Sequence, residues 1–288
     1  MILVTGAAGK TGRAVVSALA QRGATVRAWV RRSEQAPTVR SAGASEVVVG
    51  DMADAGSLQQ AVSGVRAIYL ICPNMYPAES EVACAIVAAA KAARVQQLVY
   101  HSVLHPQVEA MPHHWRKARV EEAIFAAQVP FTILQPASYM QNLLPQWPQL
   151  RSTGVLASPY APEAQLSLVD LEDVAEVAAI VLLRAGHLGA SYELAGAGAK
   201  SQHEVAGILA NVLGVPIRAE AAPLDEWESR ARAAGHSSAT VEMLKQMFAY
   251  YSAHGLAGNP HILRWLLGRE PTTISAFARR SEASLRVV

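Results

Sequence analysis

Short apolar runs alternate with amphipathic segments along the first two thirds of the chain. The runs that predict strands are 2–4, 25–30, 46–49, 67–71, 97–101, 131–134 and 191–194. Between them, segments such as 13–22, 58–62 and 79–93 place apolar residues at helical spacing, and a further helix is expected near residue 112. Strands separated by helices form a parallel sheet covered on both faces. The pattern therefore predicts an α/β fold with a doubly wound, Rossmann-type parallel sheet.

The last third of the chain has a helical pattern. Segments 202–213, 224–234, 239–254 and 272–280 predict helices, and a short strand is expected at 215–218. We therefore predict a sheet domain over 1–142, completed by 168–195. A smaller lobe is expected to combine 143–167 with 196–288.

Three glycines follow the first strand at a spacing of three. Gly6 suits a tight turn, Gly9 lets backbone N–H groups approach a diphosphate, and Gly12 lets helix and strand pack closely. The following helix would direct its N-terminal N–H groups at the same phosphates. This spacing predicts a dinucleotide site, and the alternative is an ordinary strand-to-helix turn.

Two arginines stand where the second predicted strand ends. Arg31 and Arg32 follow Gly12 by about 20 residues, the position at which an NAD-binding protein usually carries an acid for the ribose 2′-hydroxyl. A guanidinium binds a 2′-phosphate through forked hydrogen bonds. We therefore predict NADP(H), with NAD(H) as the alternative coenzyme. Alternatively, the two arginines are solvent-exposed side chains at the strand end that bind no ligand.

Other polar groups follow the remaining strands. Asp51, Cys72 and Ser102 come at the ends of three strands, so they are expected to converge with Gly6 and Arg31 at the carboxyl edge of the sheet. Asp51 would face the adenine or cap the next turn. The second cysteine, Cys84, is expected to be core.

Composition limits the remaining classes. The 288 residues are 51% hydrophobic and 17% charged, which argues against long disorder. A net charge of +2 with scattered basic residues argues against nucleic-acid binding, and no apolar run is long enough for a membrane span. The first strand leaves no room for a signal peptide, and two cysteines favour a reducing, cytoplasmic setting.

Several motifs together resemble the NmrA-like branch of the atypical short-chain dehydrogenase/reductases. They are the opening TGAAGKTG, Arg31, the Gly50-Asp51 pair, QPASYMQNL at 135–143, and the C-terminal SYELAG, HEVAGILANVLG and REPTTISAFAR. The resemblance covers nearly the whole chain. It implies an NAD(P)-binding sheet domain with a smaller substrate-binding lobe. The branch contains quinone and dye reductases, and also members that bind a dinucleotide without known turnover.

The resemblance also implies which residues hold the coenzyme. These are Gly6, Ala8, Gly9, Lys10, Thr11, Gly12, Arg31, Arg32, Asp51, Met52, Cys72, Pro73, Ser102, Lys117, Pro136 and Ser138. The segment 135–139 would lie along the nicotinamide, with Tyr139, Met140 and Asn142 facing ligand, although Met140 could equally pack in a core. Trp147 and Tyr160 would form the floor of a pocket for a flat substrate or belong to the core of the lobe.

The catalytic tyrosine of standard relatives is missing. In those enzymes a tyrosine lies four residues before a lysine, after a strand that ends in serine. Here Ser102 and Lys117 are present, but His113 occupies the tyrosine position. Lys117 is expected to hold the nicotinamide ribose, and His113 and Tyr139 are the other catalytic candidates. No metal is expected, because His101 and His105 lack further ligands nearby.

Three functions are compatible with these residues. The favoured one is a reductase that passes hydride from NADPH to a quinone-like or other electrophilic, flat and apolar small molecule. The second is a non-catalytic redox sensor that binds NAD(P) and acts through a protein partner. A nucleotide-sugar epimerase is the third, and the missing tyrosine argues against it. The oligomeric state is open, and a homodimer is one option.

Overall fold

A computed structural model describes residues 1–72, 75–76 and 78–285. The chain divides into two compact units, each built from several segments. The first unit contains 1–107, 114–136 and 171–192, and the second contains 108–113, 137–170 and 193–288.

The strands are short, as in most parallel sheets. Their bounds are β1 Ile2–Val4, β2 Val26–Val30, β3 Glu46–Val49, β4 Ala67–Leu70, β5 Gln97–His101, β6 Phe131–Pro136, β7 Ser138–Tyr139, β8 Val155–Ser158, β9 Leu166–Val169, β10 Ala190–Leu194, β11 Ala199–Lys200 and β12 Arg218–Ala221. The helices are α1 Lys10–Ala20, α2 Ala36–Ser41, α3 Ala55–Val62, α4 Glu79–Ala92, α5 Pro112–Ala127, α6 Trp147–Thr153, α7 Leu171–Leu183, α8 Gln202–Leu213, α9 Leu224–Ala233, α10 Ser238–His254, α11 Pro260–Leu267 and α12 Ile274–Leu285. Two 3₁₀ segments, Ser33–Gln35 and Met140–Gln146, complete the regular structure of the described residues.

The main sheet has the order β10-β6-β5-β4-β1-β2-β3, seven strands among the described residues. Strand β1 pairs in parallel with β2 and β4, and β2–β3, β4–β5 and β5–β6 are also parallel. The order reverses direction at β1, which makes the gap between β1 and β4 the switch point of a doubly wound sheet. The predicted α/β, Rossmann-type fold is confirmed.

Burial explains why the strand runs are continuously apolar. Every residue of β4 is buried, because helices cover both faces of the sheet. The core of the first unit gathers side chains from the sheet and from α3, α4 and α5. Trp29 belongs to it, and its indole N–H still donates to the Gly50 carbonyl at 3.1 Å.

The second unit has its own core. It is formed mainly by residues of α6, α8 and α12 with β8 and β9. Trp147 is only 3% exposed in this core, which favours the second of its two expected roles, as part of the core of the lobe. Its indole N–H donates to the buried Glu282 carboxylate at 3.1 Å, and Arg151 pairs with the same carboxylate. A buried indole N–H needs a hydrogen-bond acceptor, and the Glu282 carboxylate provides one, so Trp147 can be buried without an unpaired donor.

Several predicted bounds require correction. Helix α1 begins at Lys10 rather than residue 13, because Gly9 has an extended backbone and serves as the N-cap. Strand β6 continues to Pro136, and the strand expected at 215–218 forms at Arg218–Ala221, where it pairs with β8. Cys84 is exposed rather than core, because it lies on the outer face of α4. No helix among the described residues has the length and apolar character needed to cross a bilayer.

Candidate functional site

The glycine turn between β1 and α1 has the conformation that its spacing predicts. Gly6 has φ +55°, a region that favours glycine, and its carbonyl accepts the N–H of Gly9 at 3.0 Å. A Cβ on Gly12 would lie 2.3 Å from the Gly6 carbonyl oxygen, so this glycine permits the close packing of helix on turn. Helix α1 has no side-chain cap and no acid in its first turn, so its N-terminus can accommodate an anion.

Thr5 ties the turn to the neighbouring strand at the switch point. Its hydroxyl donates to the Ile71 carbonyl at 2.8 Å and accepts the Ile71 N–H at the same distance. The carboxyl ends of β1 and β4 are therefore fixed together. Cys72 follows directly and is buried, and burial raises the pKa of its thiol to about 12, so it stays protonated. Pro73 lies outside the described residues.

An open cavity of about 640 Å³ lies at the end of β2 and is lined by Arg31, Arg32 and Gln35. The Gln35 side-chain oxygen accepts the backbone N–H groups of Arg31 and Arg32 at 3.1 and 3.0 Å. This double contact fixes the backbone of both arginines while leaving their guanidinium groups toward solvent. Gln35 was not identified from the sequence, although its position four residues after Arg31 is compatible with such a local cap.

Asp51 follows β3 and interacts with the same arginine. Its Oδ2 lies 3.6 Å from Arg31 Nε, and its Oδ1 accepts the Ala53 N–H at 3.0 Å. Asp51 therefore caps the turn that follows β3, as one of its two expected roles required, and Asp54, whose carboxylate accepts from Ser57 at 2.7 Å, is the N-cap of α3. Met52 is half-buried against the core.

A polar cluster lies where β5 ends. The Ser102 hydroxyl donates to Glu121 Oε1, and Gln135 Nε2 donates to both carboxylate oxygens of Glu121 at 3.0 and 3.1 Å. Burial raises the pKa of Glu121, while these two donors oppose the rise. Ser102 is therefore held by a carboxylate on α5. Glu121 was not identified from the sequence. Its place one helical turn after Lys117 was the signal that could have indicated it.

Lys117 has a different partner from the one its motif suggests. Its ammonium lies 2.6 Å from Glu79 Oε1, and the two side chains are only 13% and 3% exposed. The Tyr100 hydroxyl donates to the same oxygen at 3.5 Å. Burial, and then the Glu79 charge, raise the pKa of Tyr100 well above its usual value. Neither Glu79 nor Tyr100 was singled out from the sequence.

The histidines near the sheet edge are buried. His101 Nδ1 shares a 2.5 Å hydrogen bond with the Tyr69 hydroxyl, and burial lowers the pKa of His101 to about 3. Burial also lowers the pKa of His114, to about 4. Both rings are neutral at pH 7. Within 1–72, 75–76 and 78–285, no group of three or more His, Cys, Asp or Glu side chains is arranged to hold a metal.

Several candidates belong to the second unit. His113 is buried rather than solvated, with 7% of its surface exposed. Ser138 and Tyr139 form β7, half-buried and parallel to β9. Met140 is 1% exposed in the core of this unit, which favours its packing role. Tyr160 accepts a hydrogen bond from Gln202 at 2.8 Å.

The remaining coenzyme candidates surround the glycine turn and the end of β6. Lys10 is exposed, Ala8 is half-buried, and Thr11 is 8% exposed in the first turn of α1. The Pro136 carbonyl accepts the Leu104 N–H at 2.9 Å. The model of the NmrA-like family matches residues 1–278. The chain belongs to the NmrA-like family.

Three of the proteins similar to this NmrA-like chain are named as reductases or oxidoreductases. A (4-alkanoyl-5-oxo-2,5-dihydrofuran-3-yl)methyl phosphate reductase of Streptomyces griseus is 37% identical over 225 residues, 78% of each chain. An NADPH-dependent quinone oxidoreductase of Escherichia coli, crystallised with NADPH, has a TM-score of 0.85 at 25% identity, covering 97% of this chain and 99% of that one. Triphenylmethane reductase of a Citrobacter species, crystallised with NADP(H), has a TM-score of 0.86 at 25% identity and covers 98% and 100%.

Proposed function

We propose that this chain reduces a flat, electrophilic, conjugated small molecule with NADPH. The observation that carries the proposal is the pairing of a glycine turn with an arginine-lined cavity in a member of the NmrA-like family. The prediction of an NADP(H)-dependent oxidoreductase is confirmed by the family and by the reductases similar to this chain. The acceptor and the role of each residue remain proposals.

The residues of the first unit fit a phosphorylated dinucleotide. The backbone N–H groups at the start of α1 suit the diphosphate, because Gly6 and Gly12 keep side chains out of the turn. Arg31 and Arg32 suit the 2′-phosphate, since their cavity offers two guanidinium groups on a backbone fixed by Gln35. Asp51 and Met52 would border the adenine.

The nicotinamide end would be held by residues at the ends of β4, β5 and β6. Lys117 is the donor for the ribose hydroxyls, and Ser102 is oriented by Glu121. Cys72 and Pro136, both of the first unit, would contribute backbone groups and shape. Bound NADPH supplies the hydride, and a proton from solvent completes the reduction. His113 is then dispensable for turnover.

The acceptor class follows from what the similar reductases have in common. Quinones, triphenylmethane dyes and unsaturated lactones each present an electron-poor conjugated system to a hydride. In a quinone or an unsaturated lactone, delocalisation spreads the negative charge that the hydride brings, and in a cationic dye the hydride cancels the positive charge, so a dedicated acid is not required. This explains how a chain without the usual tyrosine can still be a reductase. Tyr139, in the second unit, is the candidate to contact the acceptor.

The test is the oxidation of NADPH, followed by its absorbance, with a panel of quinones, triphenylmethane dyes and acyl-butenolides. We expect turnover with at least one class and much slower turnover with NADH. Tight NADPH binding without turnover of any acceptor would favour the redox sensor that acts through a protein partner. The mass of the same purified protein in solution would show whether it is a monomer or a homodimer. A cytoplasmic setting remains a prediction, and both cysteines are free thiols.

A further inference from the structure

The Lys117–Glu79 pair is buried although it carries two full charges. The ammonium and carboxylate are 2.6 Å apart, with side-chain exposures of 13% and 3%. Burying two ions costs solvation free energy that roughly offsets their attraction, so such a pair contributes little net stability. What the pair does provide is a defined position for the ammonium nitrogen.

Two helices meet at this pair. Glu79 is the first residue of α4, where the positive end of the helix dipole stabilises a carboxylate. Lys117 lies in α5, 38 positions further along the chain. Tyr100 of β5 lies beneath both, with its ring centroid 5.6 Å from the ammonium and its hydroxyl 3.5 Å from Glu79 Oε1. The carboxylate is therefore held by a helix terminus and a hydroxyl as well as by the lysine.

Two titratable side chains near the pair, Cys72 and His101, are uncharged at pH 7. Burial and the Glu79 charge raise the pKa of the Cys72 thiol to about 12, and burial and the Lys117 charge lower that of His101 to about 3. The Glu121 carboxylate, one turn further along α5, is engaged by Ser102 and Gln135. Glu79 is thus the carboxylate that contacts the ammonium directly.

We propose that Glu79 is a positioning residue for coenzyme binding, which acts by fixing the ammonium of Lys117 at the ends of β4 and β5. This inference rests on the proposed function, in which Lys117 binds the nicotinamide ribose. An ammonium has three N–H donors, and one is directed at Glu79 Oε1. In the proposed function, the two remaining donors bind the adjacent hydroxyls of the ribose.

The test compares Glu79→Gln, Glu79→Asp, Lys117→Met and the double variant Glu79→Gln/Lys117→Met. We expect Glu79→Gln to raise the Kd of NADPH roughly ten- to a hundredfold, the range for a lost charged hydrogen bond. Glu79→Asp should recover part of the affinity. The double variant should bind no more weakly than Lys117→Met alone, because Glu79 acts through the lysine.

A purely structural role makes different predictions. It would lower the melting temperature and the active fraction, but leave the KM for NADPH unchanged in the molecules that fold. The matched control is Glu81→Gln, an exposed glutamate on the same helix, which should bind like the wild type. If Glu79→Gln does not fold, the double variant decides, since it leaves no unpaired buried charge.

Two results would overturn the inference. One is a Kd for Glu79→Gln equal to that of Glu81→Gln, and the other is a double variant whose loss is the product of the two single losses. Failure of the proposed function looks different, because the wild-type protein would then either bind no NADPH or bind it without turning over any acceptor, however the Glu79 variants behave.

Discussion

At the residue scale, we propose that the guanidinium group of Arg31 selects the coenzyme. Arg31 Nε lies 3.6 Å from Asp51 Oδ2, but the two side chains are 80% and 50% exposed. Exposed ion pairs of this kind contribute little, so Arg31 can leave Asp51 for a phosphate at small cost. A phosphate accepts two parallel hydrogen bonds from one guanidinium, and the ribose hydroxyl of NADH does not.

We therefore expect wild-type protein to bind NADPH roughly ten- to a hundredfold more tightly than NADH, from a contact worth about 1.5–3 kcal/mol. Arg31→Ala should remove most of this ratio by weakening NADPH alone. Calorimetry with both coenzymes measures it, and Arg230→Ala, an exposed arginine of the second unit, is the control. Equal affinities in the wild type would refute the role of Arg31.

Substitutions at two glycines of the turn, Gly9 and Gly12, should affect NADPH binding and folding stability separately. A Cβ on Gly9 would lie 3.3 Å from the Gly6 carbonyl oxygen, which small shifts relieve, and its φ of −70° suits any residue. Gly9→Val should therefore fold with near-normal stability but lose at least about tenfold in NADPH affinity, because its side chain obstructs the diphosphate. Gly12→Ala should instead lower the free energy of unfolding by several kcal/mol, since its Cβ would lie 2.6 Å from the Ala7 Cα. Undiminished affinity in folded Gly9→Val would contradict the phosphate-binding assignment.

At the scale of elements, strands β1, β3 and β5 have the bounds that their apolar runs predict. For β1 and β5 the runs suffice because every residue of these strands is buried between parallel neighbours, whereas the edge strand β3 is partly exposed and is still marked by its valines. Helix α11 was missed, although Asn259 caps it and Pro260 occupies its first position. That combination is a recognised start signal, so α11 could have been predicted.

Strand β5 and helix α5 also make stability depend on pH. An imidazole in the unfolded chain takes up a proton below about pH 6.5, whereas burial keeps His101 neutral down to about pH 3 and His114 to about pH 4. The unfolded state binds more protons in this interval, so stability falls as the pH is lowered. Between pH 7 and pH 5, the neutral state of each of these two histidines should lower the free energy of unfolding by roughly 2 kcal/mol.

Urea unfolding at several pH values measures this dependence. His101→Gln should be less stable at pH 7, because Tyr69 loses its partner, but its stability should fall less steeply between pH 7 and pH 5. His236→Gln replaces an exposed histidine and should follow the wild type. If the free energy of unfolding of His101→Gln and of the wild type falls equally steeply with pH, His101 is not the source of the pH dependence.

At the scale of the whole molecule, the sequence predicted the sheet and the residues at its carboxyl edge, but not how they pair. The Glu79–Lys117 and Glu121–Ser102 contacts join residues 38 and 19 positions apart. Local periodicity carries no information on such pairs, because they depend on which helices pack side by side. The exposure of Cys84 was missed for the same reason, since the alanine-rich α4 has no clear polar face in its sequence.

The missing tyrosine has a consequence for the molecule as a whole. Lys117 is paired with Glu79 and His101 is neutral, so neither is arranged as a proton donor at pH 7. We propose that the chain serves acceptors that need a hydride from NADPH and no proton from a side chain.

The most direct measurement of that claim follows a deuterium label from coenzyme to product. The protein is incubated with a triphenylmethane dye, whose central carbon retains what it receives, and, in separate runs, with NADPH deuterated at one or at the other of the two C4 positions of the nicotinamide. Mass spectrometry should find one deuterium on the carbon of the product, from one of the two C4 positions only. Two results would contradict hydride transfer by this chain. One is a product without deuterium although labelled NADPH binds, and the other is the absence of any product with every acceptor class.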